Sequence, residues 1–250
     1  MKIVSWNCQG AFRKKASEIA AYMPDIAVIQ ECECEERLFR DKDFPRPQSI
    51  KWFGKIETKG MSIMSYTGLE IELDDSYNPD IQYCIPLHVK GHANFNLIAV
   101  WTQHHHVKNK SYIGQAYEAI NKYNEFIKSN DTIMIGDFNS NQKWDNELSI
   151  GNHTDVVNGL SNMGLVSLYH ELNNESHGSE SQSTFYMYRK NELKHQFHID
   201  YCFAPVSWLE RVNKFEISNY SKCCDISDHV PLFVEFEEHG NSFNVFKDIN

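Results

Sequence analysis

The stretch Ile133-Met134-Ile135-Gly136-Asp137-Phe138-Asn139 decides how this chain is read. Three apolar residues suit a buried strand, and Gly136 lets the backbone turn sharply after them. Asp137 and Asn139 follow, with the bulky Phe138 between them. In an extended segment alternate side chains share a face, so a carboxylate and a carboxamide emerge together at the strand's end. An acid that holds a water or a metal, beside an amide that donates to a phosphoryl oxygen, is half of a phosphoester-cleaving site. The same Gly-Asp-x-Asn string also makes an ordinary Asx turn. Its meaning therefore depends on what the rest of the chain sets around it.

Outward from that strand, apolar runs recur from end to end. Candidate strands cover 2–7, 26–30, 60–66, 82–89, 94–102, 132–136, 183–188, 198–204 and 230–237, and the pair around Lys90-Gly91-His92 reads as a hairpin. Helical spacing marks three segments: 14–23, ended by Pro24; 112–128, through Ala116, Ile120, Tyr123 and Ile127; and 154–163, stopped by Gly164. No internal repeat, low-complexity tract or Pro/Gly/Ser-rich linker interrupts the chain, so residues 1–250 read as one domain. Helices dispersed among many strands predict an α/β fold, a four-layer sandwich of two packed mixed β-sheets flanked by helices.

With 250 residues, 41% hydrophobic and 23% charged, the chain can bury a large core without disulfides or a structural metal. No apolar run approaches the roughly 20 residues of a membrane span, and no membrane partner is expected. The N-terminus lacks the apolar stretch and cleavage site of a signal peptide. Seven cysteines, an odd number with no C-x-x-C pair, read as reduced thiols, so a cytoplasmic location is expected. Nothing calls for an obligate protein partner. The formal net charge of −10 argues against holding nucleic acid by bulk electrostatics. It does not exclude a nuclease, because a divalent cation ringed by some of the acids reverses the local sign.

Polar residues cluster where the strands should end. Asn7 closes the first strand and Gln30-Glu31 the second; Asp137 and Asn139 follow the central one. Asp200 lies in His198-Ile199-Asp200-Tyr201, and Asp228-His229 opens the last strand. Strands that each end in an acid, amide or imidazole can bring those groups to one rim. Taken singly, Asn7 reads as well as a turn cap, and Glu31 as a surface acid in the run Glu31-Cys32-Glu33-Cys34-Glu35-Glu36. Asp200, within an apolar stretch, is harder to dismiss, because an unpaired buried carboxylate is costly. Pairing with His229 accounts for it.

The set resembles the endonuclease/exonuclease/phosphatase superfamily, with its DNase I-like fold. The matching pieces are Ser5-Trp6-Asn7, Ile29-Gln30-Glu31, Gly136-Asp137-Phe138-Asn139, Ser183-Thr184-Phe185 through His198-Ile199-Asp200-Tyr201, and Ser227-Asp228-His229-Val230-Pro231-Leu232. They follow the family's order across residues 5 to 232. The resemblance implies that Glu31 binds a metal with help from Asn7, and that Asp228 lies beside that metal. It implies that Asp137 orients or deprotonates the attacking water, that Asn139 contacts the phosphoryl group, and that His229 acts with Asp200 as its carboxylate partner. The implied cofactor is Mg²⁺, with Mn²⁺ as an alternative.

These roles also make physical sense without the family. Hard Mg²⁺ prefers carboxylate and water oxygens and stabilises negative charge in an in-line displacement. A histidine held by a carboxylate keeps one tautomer and stays cationic against phosphoryl oxygens. Water then attacks phosphorus directly.

Residues that set the substrate are less well marked. The family usually carries a His or Tyr after the strand that here reads Leu97-Ile98-Ala99-Val100-Trp101-Thr102; Trp101 and His104, first of three consecutive histidines, are the candidates. Trp144 and Asp145 can frame a pocket. Phe185, Tyr186, Tyr188, Arg189 and Lys190 precede Asp200, where aromatics can stack on bases or simply pack as a strand. The region 183–201 looks most like the exonuclease III-type branch, so the leading expectation is an endo- or exonuclease acting on DNA or RNA. The acidic composition favours the rival, a phosphatase or phosphodiesterase for a small nucleotide, sugar-phosphate or lipid-headgroup ester. A catalytically inactive binding module is the third reading, and the presence of every expected acid speaks against it.

Overall fold

The computed structural model describes residues 1–107, 111–146, 149–189, 192–223 and 225–237. Fourteen strands are formed among them: β1 Lys2–Asn7, β2 Ile26–Cys32, β3 Ser49–Ile56, β4 Lys59–Ser65, β5 Glu70–Leu73, β6 Cys84–Lys90, β7 Phe95–Trp101, β8 Thr132–Asp137, β9 Leu165–Ser167, β10 Phe185–Arg189, β11 Glu192–Phe197, β12 Asp200–Pro205, β13 Val212–Ile217 and β14 Leu232–Phe236. The helices are α1 Ser17–Ala20, α2 Glu35–Leu38, α3 Ile113–Lys122, α4 Asn124–Ser129, α5 His153–Asn162, α6 Leu168–Asn173 and α7 Tyr220–Cys223. Two mixed six-stranded sheets result, in the orders β13-β14-β1-β2-β4-β3 and β5-β6-β7-β8-β12-β9, with β10 and β11 forming a separate two-stranded ribbon.

The period-two alternation of strands explains why the sheets pack face to face. Ile3, Ile26, Val28 and Ile63 of the first sheet share one buried cluster with Leu97, Ala99, Ile133 and Ile135 of the second. Their neighbours point outward. Val4, Trp6, Ala27 and Ile29 meet Phe12, Ala16, Ile19 and Leu38 outside the first sheet. Ile98, Val100 and Met134 meet Ala116, Ile120, Val156 and Leu160 of α3 and α5 outside the second. The expected four-layer α/β sandwich is thus observed. No helix among the described residues is long and apolar enough to cross a membrane.

The same parity builds the rim. β1 runs parallel to β2, and β7 parallel to β8. Counting in twos from the inward residues gives Asn7 after Ile3, Gln30 after Ile26 and Val28, Trp101 after Leu97 and Ala99, and Asp137 after Ile133 and Ile135. β12 runs antiparallel to β8, with Asp200 opposite Asp137, so its first residue joins the same edge. Gln30 ties the sheets there: its Nε2 donates to Ser5 Oγ at 3.1 Å and, across the interface, to Val100 O at 3.3 Å.

Several expected elements differ. The segment 14–23 forms a single 3-10 turn at Phe12–Lys14 followed by the four-residue α1. Lys15, with φ −123°, interrupts it, and its Nζ donates to Cys8 O at 2.6 Å. The expected helix 112–128 splits into α3 and α4 at Tyr123 (φ −98°, ψ 20°), whose ring is buried and whose hydroxyl accepts from Asn78 N. The third appears as α5, opened by a capping box between Asn152 and Asp155. The strands not foreseen are β3, β5, β9, β11 and β13. Most carry exposed residues on much of their length, so their apolar alternation is faint.

Gly136 does not turn the chain; β8 continues through it to Asp137. Its role is close approach. At φ +148°, a Cβ would lie 1.9 Å from Val100 O on the neighbouring strand. Gly136→Ala therefore forces β7 and β8 apart and should lower stability by roughly 3 kcal/mol or more, measured as the urea midpoint of unfolding.

Candidate active site

Asp137 is fully buried at the end of β8, and the turn after it folds back to solvate its carboxylate. Asn139 sits in the left-handed region (φ +46°), and its backbone N–H donates to Asp137 Oδ1 at 2.8 Å. The Asx turn and the functional reading are thus the same structure. Asn139 Nδ2 donates to Asp137 Oδ2 and to Thr102 O, both at 2.9 Å. Asn7 Nδ2, from the facing sheet, donates to the same Oδ2 at 3.0 Å. Both Nδ2 hydrogens of Asn139 are engaged here, so the amide positions Asp137 instead of presenting a free donor.

On the other side of Asp137 stands His229. Its Nδ1 lies 2.9 Å from Asp200 Oδ2, and its Nε2 lies 3.9 Å from Asp137 Oδ2. Two hydroxyls not singled out in the sequence hold this arrangement. Thr184 Oγ1 accepts from the backbone N–H groups of Ile199 and Asp200, each at 3.0 Å. Ser227 Oγ donates to Asn7 O at 2.8 Å and accepts from His229 N at 3.1 Å. Both lie within the strings Ser183-Thr184-Phe185 and Ser227-Asp228-His229, so the signal was present without an assigned role. Trp6 Nε1 completes the support by donating to His229 O at 3.0 Å.

The electrostatics follow from burial with few compensating charges. Burial pushes the Asp137 carboxyl up to about 7, with His229 opposing and Asp200 adding to the rise. Burial alone would lower His229, but the Asp200 and Asp137 carboxylates outweigh it and raise it to about 10. An imidazolium thus sits between two acids, and ligand atoms of all three residues fall within 4.8 Å of one another.

Glu31 and Asp228 lie beside this array. Glu31 is at a β-bulge after Gln30 with φ +59°, and its Oε2 pairs with Lys59 Nζ at 3.0 Å. Asp228 is pushed up by burial, with His229 lowering it and Glu31 and Asp200 raising it. Glu31, Asp228 and the Asn7 carboxamide are the hard oxygen donors a divalent cation prefers, and such an ion would relieve the mutual repulsion of the acids. The donor set fits Mg²⁺ or Mn²⁺.

The remaining predicted residues are placed as follows. Trp101 is buried at the rim, packed on Tyr83 (ring centroids 4.7 Å) with Lys59 Nζ 5.6 Å from its ring. Phe185 lies against His229, ring centroids 4.8 Å apart. Trp144 is exposed and packs edge-on against Phe197 of the ribbon. His104 is exposed with its ring 5.9 Å from Tyr112, and it is not brought to the acid cluster. Asp145 accepts from His153 N at 2.8 Å and Thr154 N at 2.9 Å, the first two backbone N–H groups of α5. Lys190 and the side chain of Arg189 lie outside the described residues.

The sequence matches no family model and no curated protein. The fold does match solved structures. A 3′ phosphatase, NExo, from Neisseria bound to a product DNA hairpin superposes with a TM-score of 0.68 at 18% identity, covering 95% of this chain and 99% of that one. An AP endonuclease from Archaeoglobus fulgidus gives 0.67 at 20%, with 95% and 99% covered. The endonuclease domain of TRAS1, a telomere-specific non-LTR retrotransposon, gives 0.62 at 17%, with 96% and 99% covered. The fold of this chain is therefore the DNase I-like one that these solved structures share.

The Asp200–His229 contact makes a spectroscopic prediction. The acid favours the charged imidazole, so Asp200→Asn should lower the His229 midpoint from about 10 by roughly 1 to 3 pH units, followed by NMR titration of the ring protons.

Proposed function

We propose that the chain is a divalent-metal-dependent phosphoesterase that hydrolyses a phosphodiester by direct attack of water, with DNA or RNA as the favoured substrate. The observation that carries this reading is the buried Asp137–His229–Asp200 array, set beside Glu31, Asp228 and Asn7 at one rim. Asp137 orients the water and takes its proton, a task suited by a carboxyl raised to about 7. Asn7 and Asn139 hold that carboxylate through the hydrogen bonds described above. The water oxygen bonds to phosphorus as the bond to the leaving oxygen breaks, without a covalent enzyme intermediate. His229, kept cationic and held in one orientation by Asp200, offsets charge growing on the phosphoryl oxygens. Glu31, Asp228 and Asn7 would hold Mg²⁺ or Mn²⁺, which would supply further charge stabilisation to the phosphoryl group.

The preference for nucleic acid is supported by the ribbon beside the site and by the printed activities of the fold neighbours, which include a 3′ phosphatase with DNA and an AP endonuclease. Phe185 touches His229, while Tyr188 and Trp144 are exposed nearby and can stack on bases. The net charge of −10 supports the small-ester reading instead. We further infer that the 250 residues act as one domain and that a reducing compartment such as the cytoplasm suits the six buried free thiols of the described residues.

Asp137→Asn and His229→Ala should each lower metal-dependent turnover by roughly 10²- to 10⁴-fold, and the double variant by less than the product of the two. EDTA should abolish activity and Mg²⁺ or Mn²⁺ restore it. The assay panel is abasic duplex, single-stranded DNA, 3′-phosphorylated DNA, RNA and small phosphate esters. Turnover of a small ester with no cleavage of any nucleic acid would establish the rival reading; full activity in both variants would remove the site assignment.

A further inference from the structure

Outside the second sheet, behind the turn that carries Asn139, lies a second group of titratable side chains. Four of the twelve histidines gather there with one glutamate. His153 opens α5 and His170 lies in α6. His177 and Glu180 come from the connection between α6 and β10, and His198 immediately precedes β12. His153 Nε2 is 3.0 Å from His177 Nδ1, and His170 Nε2 is 3.2 Å from Glu180 Oε1. The rings of His170 and His177 stack with centroids 3.5 Å apart. Ligand atoms of His170, His177 and Glu180 all lie within 4.8 Å of one another. Donor atoms around a tetrahedral zinc, with bonds of roughly 2.0–2.1 Å, are about 3.3 Å apart, close to both of the shorter separations.

The surroundings are those of a ligand set. His170 Nδ1 meets Ser167 Oγ at 2.7 Å and His153 Nδ1 meets Ser140 Oγ at 3.2 Å. Donating Nδ1–H to those hydroxyls leaves each Nε2 lone pair facing the group, the usual support for a metal-bound imidazole. Glu180 is oriented by Gly178 N at 2.8 Å and Asn141 Nδ2 at 3.1 Å. His198 Nε2 is buried with no hydrogen-bond partner among the described residues, and its ring centroid is 5.7 Å from that of His170. A cleft of about 310 Å³ lined by His153, His170 and His177 reaches solvent and provides an entry path.

We propose that His170, His177 and Glu180 form a site for a zinc-class divalent transition-metal ion, separate from the acid cluster, with His153 of α5 in contact with it through His177. Nitrogen donors with a single carboxylate select such an ion over Mg²⁺. Bound there, it would staple the connection after α6 to α5 and to Ser140–Asn141, directly behind Asn139. The inference rests on this geometry alone and does not require the proposed reaction.

The test uses the full chain, stripped with EDTA and titrated with Zn²⁺ against a chromophoric chelator in millimolar Mg²⁺; Co²⁺ then replaces Zn²⁺ for visible spectra. One bound equivalent, tetrahedral Co²⁺ bands and a raised thermal midpoint are expected. The double variant His170→Gln/His177→Gln should weaken Zn²⁺ binding by ~100-fold or more, and Glu180→Gln should alter the Co²⁺ bands. Asp137→Asn should retain the equivalent. The proposal is overturned if the folded wild type binds no Zn²⁺, if binding survives loss of both histidines, or if it disappears with Asp137→Asn.

Discussion

One buried carboxylate organises this molecule. Asp137 is withdrawn from bulk water, so protein groups supply most of the stabilisation of its charge. Amides from both sheets and the turn supply the hydrogen bonds, and the His229 imidazolium supplies the countercharge. Each of these groups needs its own support, which Asp200, Thr184, Ser227 and Trp6 give in turn. Half-satisfied networks of this kind are worse than an apolar core, whereas complete ones fix a single geometry. The residues a phosphoester-cleaving reaction would need are thus the same ones that let the two sheets close on an acid.

Much of this was legible in the sequence because strand alternation translates directly into direction. Residues 133, 135 and 137 share a face by parity, as do 3, 5 and 7, so placing the strands was nearly enough to place Asn7 and Asp137 together. Asp200 could be paired with His229 from the cost of leaving it alone, and they do pair. Less legible was anything whose role depends on close approach. Gly136 looked like a turn residue, yet its missing side chain serves contact with β7. Thr184 and Ser227 have ordinary side chains, and only the register of segments far apart in sequence reveals what they hold.

The histidine group illustrates a different limit. His153, His170, His177 and His198 occupy two helices and two connections, with no short metal-ligand spacing among them all. The three consecutive histidines at 104–106 are the conspicuous run in the sequence, yet the structure leaves His104 exposed beside Tyr112. Edge strands escaped for the related reason that an exposed strand has only half an apolar pattern to show.

The ribbon of β10 and β11 belongs to neither sheet. Its base is fastened where Phe185 pairs with His229, Tyr186 N donates to Asp228 O, and Val230 N donates to Thr184 O. Beyond that base, β11 is exposed along nearly its whole length. The outer ribbon can therefore change in length and composition across evolutionary time without disturbing the hydrophobic interior. Its root cannot, because it shares backbone hydrogen bonds with the segment that carries the imidazolium. A lineage could thus alter the tip freely, while any twist reaching the base would be felt at His229.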